Sequence, residues 1–486
     1  MKQTIITILL AVVAMTGQAQ VKSGLDLCLR DEATGEWLIG LFDDYAIYDC
    51  EYWNYAEVGK DHVVLTKDGQ RMEVRLRKNA TIIDGEKHKT SVLTTKCLPD
   101  YPAKDETAWP SGIQAEEGNF TLRVCVRTTK KEAEFNIWIR RMVDGKQIEE
   151  YAKIDEQGRF EVKMPVNGTS ILGIRNEFEH LLEHSFWGRL AVDDGDMLLL
   201  YIDDMNDRAY VMGGKYARFN NELLDGDFHP DFTTPESLPF DSIITQQCRS
   251  MAICQTRIDS LNAARPNLSR RFRAYYLDDI QNLFANPMLR NCWLTYNKEE
   301  QQAMLNKTET KLNPLQWMRS EVPLMCRDGF KINILYYIFA LADLRSTRLT
   351  DPDVFLLRIY QEGKVQLTDE ELQTIKDFHE LRTNKNRDVS LNEAFQTKII
   401  PILSKPLIAQ YWDWELSEQN VAMQVNVLNS LDIDDDTREI LKTQTFVNNI
   451  DGKSNVASPR ILRLAHQEVH HPRLIQAIDN ANQRII

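Results

Sequence analysis

Three stretches of the chain hold residue types that do chemistry. His180-Leu181-Leu182-Glu183-His184 matches H-x-x-E-H. In that pattern two imidazoles on one helix face bind Zn²⁺, and the carboxylate beside them activates a bound water. The run lies between two apparent strands, Ser170 to Ile174 and Arg189 to Val192. That spacing leaves room for only about three helical turns, and no third ligand accompanies the pair. The expectation is that His180, Glu183 and His184 hold no stoichiometric zinc.

His466-Gln467-Glu468-Val469-His470-His471 is rich in ligand types but is not H-E-x-x-H. Its helix is expected to end at Pro472, where histidines suit the negative end of the helix dipole. Asp432-Ile433-Asp434-Asp435-Asp436 resembles the start of a calcium loop, yet it lacks glycine at the sixth position and has Thr443 where the bidentate glutamate belongs. It reads instead as the acidic first turn of a helix through Thr437-Arg438-Glu439-Ile440-Leu441. The patterns G-x-S-x-G, Walker A and G-x-G-x-x-G do not occur. No catalytic, cofactor-binding or metal-binding residue is assigned.

The eight cysteines are Cys28, Cys50, Cys97, Cys125, Cys248, Cys254, Cys292 and Cys326, and none stands in a C-x-x-C pair. The arrangement that lowers a thiol pKa for exchange chemistry is therefore missing. Structural thiols, or one or two disulfides, are the expectation.

The elements that would position any site are organised around Arg189 to Leu224. Asp194-Gly195-Asp196 is expected to turn a β-hairpin into the apolar run Met197 to Ile202, a strand buried on both faces. After Met212-Gly213-Gly214 the pattern turns helical from Tyr216. Before this joint the chain is strand-like. Val63-Val64-Leu65, a Lys67 to Gln70 turn and the alternating Arg71 to Arg77 make one hairpin. The aromatics between Trp37 and Trp53 read as a small β-core, and Arg270-Arg271-Phe272-Arg273 as a solvated helix face. Leu122, Val124 and Val126, then Phe135, Ile137 and Ile139, alternate as in a small antiparallel sandwich.

Beyond a linker at Asp225 to Phe240 the reading is helical. Thr368-x-x-Glu371 is a capping box. Ser417 is expected to start a helix with Val421, Val425 and Leu428 inward, Ser458-Pro459 starts another, and Pro472 opens the last. No fixed-period repeat supports a solenoid. The fold class expected is α+β multidomain: two small antiparallel β-modules followed by an irregular all-α helical domain. The divisions are a signal peptide over 1–20, an N-terminal β-rich module over 21–105, a sandwich-like module over 106–215 and a helical domain over 216–486.

Hydrophobic residues make up 43% of the 486 and charged residues 27%, which is globular composition. The net charge of −14 disfavours nucleic acid as a partner. Lys2, the apolar Ile5 to Val13 and the small Gly17-Gln18-Ala19 read as a secretory signal peptide, with no lipid-anchor cysteine at the cleavage site. A periplasmic or otherwise exported chain without a transmembrane segment in its mature form is expected; Ile334 to Ala342 is too short to span a bilayer.

Gly35-Glu36-Trp37-Leu38-Ile39-Gly40-Leu41-Phe42, Tyr45-Ala46-Ile47-Tyr48-Asp49-Cys50 and Trp53-x-Tyr55 resemble the opening of exported thioredoxin-like proteins of the cytochrome-biogenesis type, from the Gram-negative envelope. Leu98-Pro99-Asp100-Tyr101-Pro102 and the joint from Met212-Gly213 to Asn221-Glu222-Leu223 are similar as well. The resemblance implies the region before the thioredoxin domain. It stops at Ile486, where that domain would begin, and the W-C-x-x-C dithiol has no counterpart, so no catalytic residue carries over. The function expected is a non-catalytic binding or scaffold body with an envelope protein or ligand as partner. The alternative is an enzyme, either a zinc hydrolase through His180, Glu183 and His184 or a thiol-disulfide accessory.

Overall fold

A computed structural model describes residues 22–94, 101–114, 117–141, 145–176, 189–224, 238–295, 297–345, 350–383, 390–451 and 458–483. Alternation of buried and exposed side chains builds the first unit. Eight strands, β1 (Leu27–Asp31), β2 (Trp37–Leu41), β3 (Ala46–Tyr48), β4 (Glu51–Val58), β5 (His62–Lys67), β6 (Gln70–Arg77), β7 (Ala80–Ile83) and β8 (Glu86–Val92), pair antiparallel in order. Pairing of β1 with β8 closes them into a barrel. Closure removes both sheet edges. The inward residues Ile39, Leu41, Trp53, Leu65, Met72 and Val74 fill the barrel.

The second unit is two four-stranded sheets. One has the order β11 (Gln147–Lys153), β10 (Glu134–Arg140), β13 (Ser170–Asn176), β14 (Arg189–Val192); the other has β12 (Arg159–Asn167), β9 (Glu117–Arg127), β15 (Met197–Asp203), β16 (Arg208–Gly213). Their facing sides share one apolar core that includes Leu122, Phe135, Leu172 and Leu200. The expectation of two small antiparallel β-modules, β-rich over 21–105 and sandwich-like over 106–215, is thereby corrected in its closure and pairing. A closed barrel occupies 27–92, and the second unit contains a parallel pair, β9 with β15. Closure and the parallel pairing are long-range contacts, which local alternation does not encode.

The hairpin expected at Asp194-Gly195-Asp196 is also corrected. β14 pairs with β13 in one sheet and β15 with β9 and β16 in the other, so this turn carries the chain between sheets. The hairpin is β15 with β16. The both-face burial of β15 does hold: Leu198, Leu200 and Ile202 enter the inter-sheet core, while Leu199 and Tyr201 pack against the barrel's Trp37, Phe42 and Ile47.

Helices follow: α1 (Ala217–Leu224), α2 (Phe240–Ala264), α3 (Arg270–Leu294), α4 (Lys298–Leu312), α5 (Pro314–Met318), α6 (Asp328–Arg345), α7 (Pro352–Gln361), α8 (Asp369–Thr383), α9 (Ser390–Ala394), α10 (Ile400–Leu403), α11 (Pro406–Ser430), α12 (Asp435–Asp451), α13 (Pro459–Glu468) and α14 (Pro472–Gln483). The Thr368–Glu371 capping box forms reciprocally, at 3.1 and 3.2 Å. Ser458 caps α13 by accepting from the Arg460 N–H at 3.1 Å. The start expected at Ser417 is corrected: α11 begins at Pro406, and Ser417 lies buried in its interior. Proline at the first helical position needs no N–H partner, and that signal outranked the serine.

Two helical cores result. The larger gathers α2, α3, α6 and α11 to α14 around Phe330, Ile334, Val425 and Phe446. The smaller, around Phe355, Ile375, Phe378 and Ile402, belongs to α7 to α10 and the start of α11. Among the described residues no helix is long and apolar enough to cross a membrane.

Candidate functional site

The joint is built from three consecutive side chains of α1, Asn220, Asn221 and Glu222, all buried. Successive residues on a helix point about 100° apart, so each meets a different body. The Asn220 amide accepts from the Ala191 N–H at 2.7 Å and donates to the Ala191 carbonyl at 3.0 Å. The Asn221 amide treats Val211 the same way, at 2.8 Å for both bonds. Ala191 and Val211 lie on β14 and β16, one edge strand of each sheet. Each amide thus stands in for a neighbouring strand and satisfies an edge that would otherwise be open.

Glu222 turns to the helical body. It accepts from the Ser269 N–H at 3.0 Å, from the Ser269 hydroxyl, and from Arg218 Nε at 3.2 Å. Ser269 is itself the N-cap of α3. Burial pushes the Glu222 carboxyl up from its usual range, and these donors only partly offset that.

The sequence phrases of the first subsection meet here in pairs. Gly35 has φ +79°, and a Cβ there would come within 2.8 Å of both Tyr101 and Pro102. Gly213 has φ +75°, and a Cβ would lie 2.3 Å from Cys50 Sγ. Cys50 in turn donates to the Met212 carbonyl at 3.1 Å. These residues seat the barrel on the linker and on the second sheet. A cavity of about 170 Å³ remains between Tyr101, Glu222 and Arg265 to Leu268.

A second, ligand-sized cavity of about 450 Å³ lies between α11 and α13, lined by Glu415, Glu418, Gln419, Ala422, Arg460, Ile461, Arg463, Leu464 and Gln467. It opens where α11 passes from the smaller helical core to the larger. Burial would push the Glu415 carboxyl up. Bonds from Arg358 at 2.8 Å and Thr350 at 3.0 Å outweigh it and hold the group below the ordinary glutamate range. Glu418 accepts from the Ser458 hydroxyl and from Arg460 at 3.4 Å. Arg463 and Gln467 have no side-chain partner among the described residues.

His180, Glu183 and His184 lie outside the described residues, as do 1–20 and Cys97. The histidines near Pro472 are held apart by acids: His466 pairs with Asp479 at 2.9 Å and His470 with Glu439 at 2.8 Å. Asp434 caps α12 by accepting from the Thr437 N–H at 2.7 Å, so the acidic run is a helix start. Among the described residues no group of three or more His, Cys, Asp or Glu is placed to hold a metal ion.

The solvated face expected for Arg270 to Arg273 is exposed at Arg270 and half-buried at Arg271 and Arg273, and its arginines are paired rather than free. Arg270 and Arg273 pair with Glu321 and Glu106, and Arg271 donates to the Ala108 carbonyl at 3.1 Å. Arg271 and Arg273 clamp the linker to α3, while Arg270 reaches the segment between α5 and α6. The linker's Trp109 is buried beside them, stacked 5.4 Å from Tyr216.

Seven of the eight cysteines are described, and all seven are free thiols, Cys248 alone being partly exposed. Burial pushes Cys28 and Cys50 up to about 12 and Cys292 to about 11. Asn221 was quoted only within a resemblance phrase, and neither Asn220 nor the α11–α13 cavity was singled out by motif. The chain matches no protein-family model, and a search of curated proteins finds no match either.

Proposed function

We propose that the chain is an exported, non-catalytic body that binds an envelope protein or ligand. It is akin to the scaffold part of thioredoxin-like oxidoreductases but lacks their dithiol. The burial of Cys28, Cys50, Cys125, Cys254, Cys292 and Cys326 carries this reading. A thiol that exchanges disulfides must reach solvent as a thiolate, and burial opposes both conditions. The α11–α13 cavity supplies ligand-sized space for binding, with Glu415 held low at its wall by Arg358 and Thr350.

Thiol labelling of the native protein, mapped by peptide mass spectrometry, tests the reading. The six buried cysteines are expected to stay unmodified until the protein unfolds. Labelling of any of them in the native state at the rate of a free thiol in solution would overturn it.

A further inference from the structure

We infer that β11 is a dimerisation strand: a second copy of this chain adds its own β11 antiparallel to the first, with Tyr151 facing the second copy's Tyr151 on the two-fold axis. This contact is separate from the ligand binding proposed above.

The two sheets have four edges, and three are blocked. Asn220 and Asn221 fill those of β14 and β16. On β12, the bond from the Val126 N–H to the Gly158 carbonyl at 2.7 Å sets which residues face β9, and Pro165 falls among those that face away. An outward proline offers an incoming strand no donor. β11 has no such device. Among the described residues β10 is its one ladder partner, and the strand holds no proline.

The Arg141 N–H donates to the Lys146 carbonyl at 2.8 Å, and the Ile154 N–H to the Ala133 carbonyl at 3.2 Å. That register turns the backbone of Ile148, Glu150 and Ala152 toward β10, and the N–H and C=O groups of Glu149, Tyr151 and Lys153 off the sheet. The side chains of Glu149, Tyr151 and Lys153 share the outer face and are exposed, Tyr151 at 72%.

Charges on an edge ordinarily deter pairing. Here one register makes them complementary. With the tyrosines opposite each other, Glu149 faces the second copy's Lys153, and Lys153 faces its Glu149. Three pairs then exchange both backbone bonds, and each is aromatic or of opposite charge. A slip of two residues instead sets Glu150 against the second copy's Glu150, a like-charge pair. The contact is the same patch on both copies, so it closes at the dimer. Within the chain Tyr151 donates to Glu149 at 3.0 Å and Lys153 pairs with Glu134. Both contacts are exposed and cost little to rearrange.

The test is sedimentation equilibrium of the full chain at tens of micromolar, beside Glu149→Lys, Lys153→Glu and Tyr151→Pro. The parent is expected at twice the monomer mass. Either charge variant alone should weaken the dimer about tenfold or more, because it sets like charges face to face in both outer pairs. An equimolar mixture of the two should regain the dimer, since opposite charges then meet in both pairs. Tyr151→Pro removes an N–H that β10 does not use and should abolish the dimer. If that variant fails to fold, the charge variants, both at exposed positions, carry the test. A parent that stays monomeric overturns the proposal. So does a dimer that survives both charge variants, or a mixture of the two that does not recover it.

Discussion

Three adjacent side chains, Asn220, Asn221 and Glu222, do at the residue scale what the linkers cannot. Each amide gives an edge strand both of the bonds that a neighbouring strand would supply. Glu222 does the same for the Ser269 cap, but as an ionisable group out of water. Its folded-state pKa is raised above the ordinary 4.5. The folded protein therefore holds this proton more tightly than the unfolded chain does. The associated stability is fully present below 4.5 and is lost as pH rises through the folded value. Glu222→Gln should remove that slope, so thermal melts of parent and variant should diverge as pH climbs from 4.5. Parallel curves would contradict the account. The sequence shows Asn-Asn-Glu on a helix, with no partner for any of the three beside it in the chain. Its meaning depends on Ala191, Val211 and Ser269, none of which is a sequence neighbour.

Among the elements, α11 joins the two helical cores. Its first turns bring Ile408 to the smaller core, and Val421, Val425 and Leu428 enter the larger. Val425→Asp would bury an unpaired charge there, at a cost of several kcal/mol. Circular dichroism should show the helical signal lost at a markedly lower temperature. An unchanged melting curve would refute the placement of that face. The inward stripe Val421, Val425, Leu428 was legible because its spacing is helical. The helix start was not, since Ser417 imitates a cap and Pro406 stands eleven residues earlier. The strand β15 was legible for a similar reason: an unbroken apolar run has to be covered on both sides. Barrel closure by β1 and β8 was not legible, because it brings together residues about sixty positions apart in sequence. The α11–α13 cavity was hidden for the same reason, with four of its lining residues from α11 and five from α13.

On the scale of the whole molecule, the resemblance phrases are seating surfaces. Gly35 sits under Tyr101 and Pro102, Gly213 under Cys50, and Glu222 on Ser269. They fasten the barrel, the two sheets and the helical body to one another, and a ligand-sized cavity lies between α11 and α13. The central claim is that this joint couples the β half to the helical half, and Asn221→Ala tests it most directly. The substitution leaves the Val211 N–H and carbonyl buried without partners, at about 1–3 kcal/mol for each group. Urea unfolding of parent and variant should be followed by far-ultraviolet circular dichroism for the helices and by hydrogen exchange for the strands. The account predicts that both transitions shift together to lower urea. A variant whose strands loosen while its helices unfold at the parent's urea concentration would contradict it.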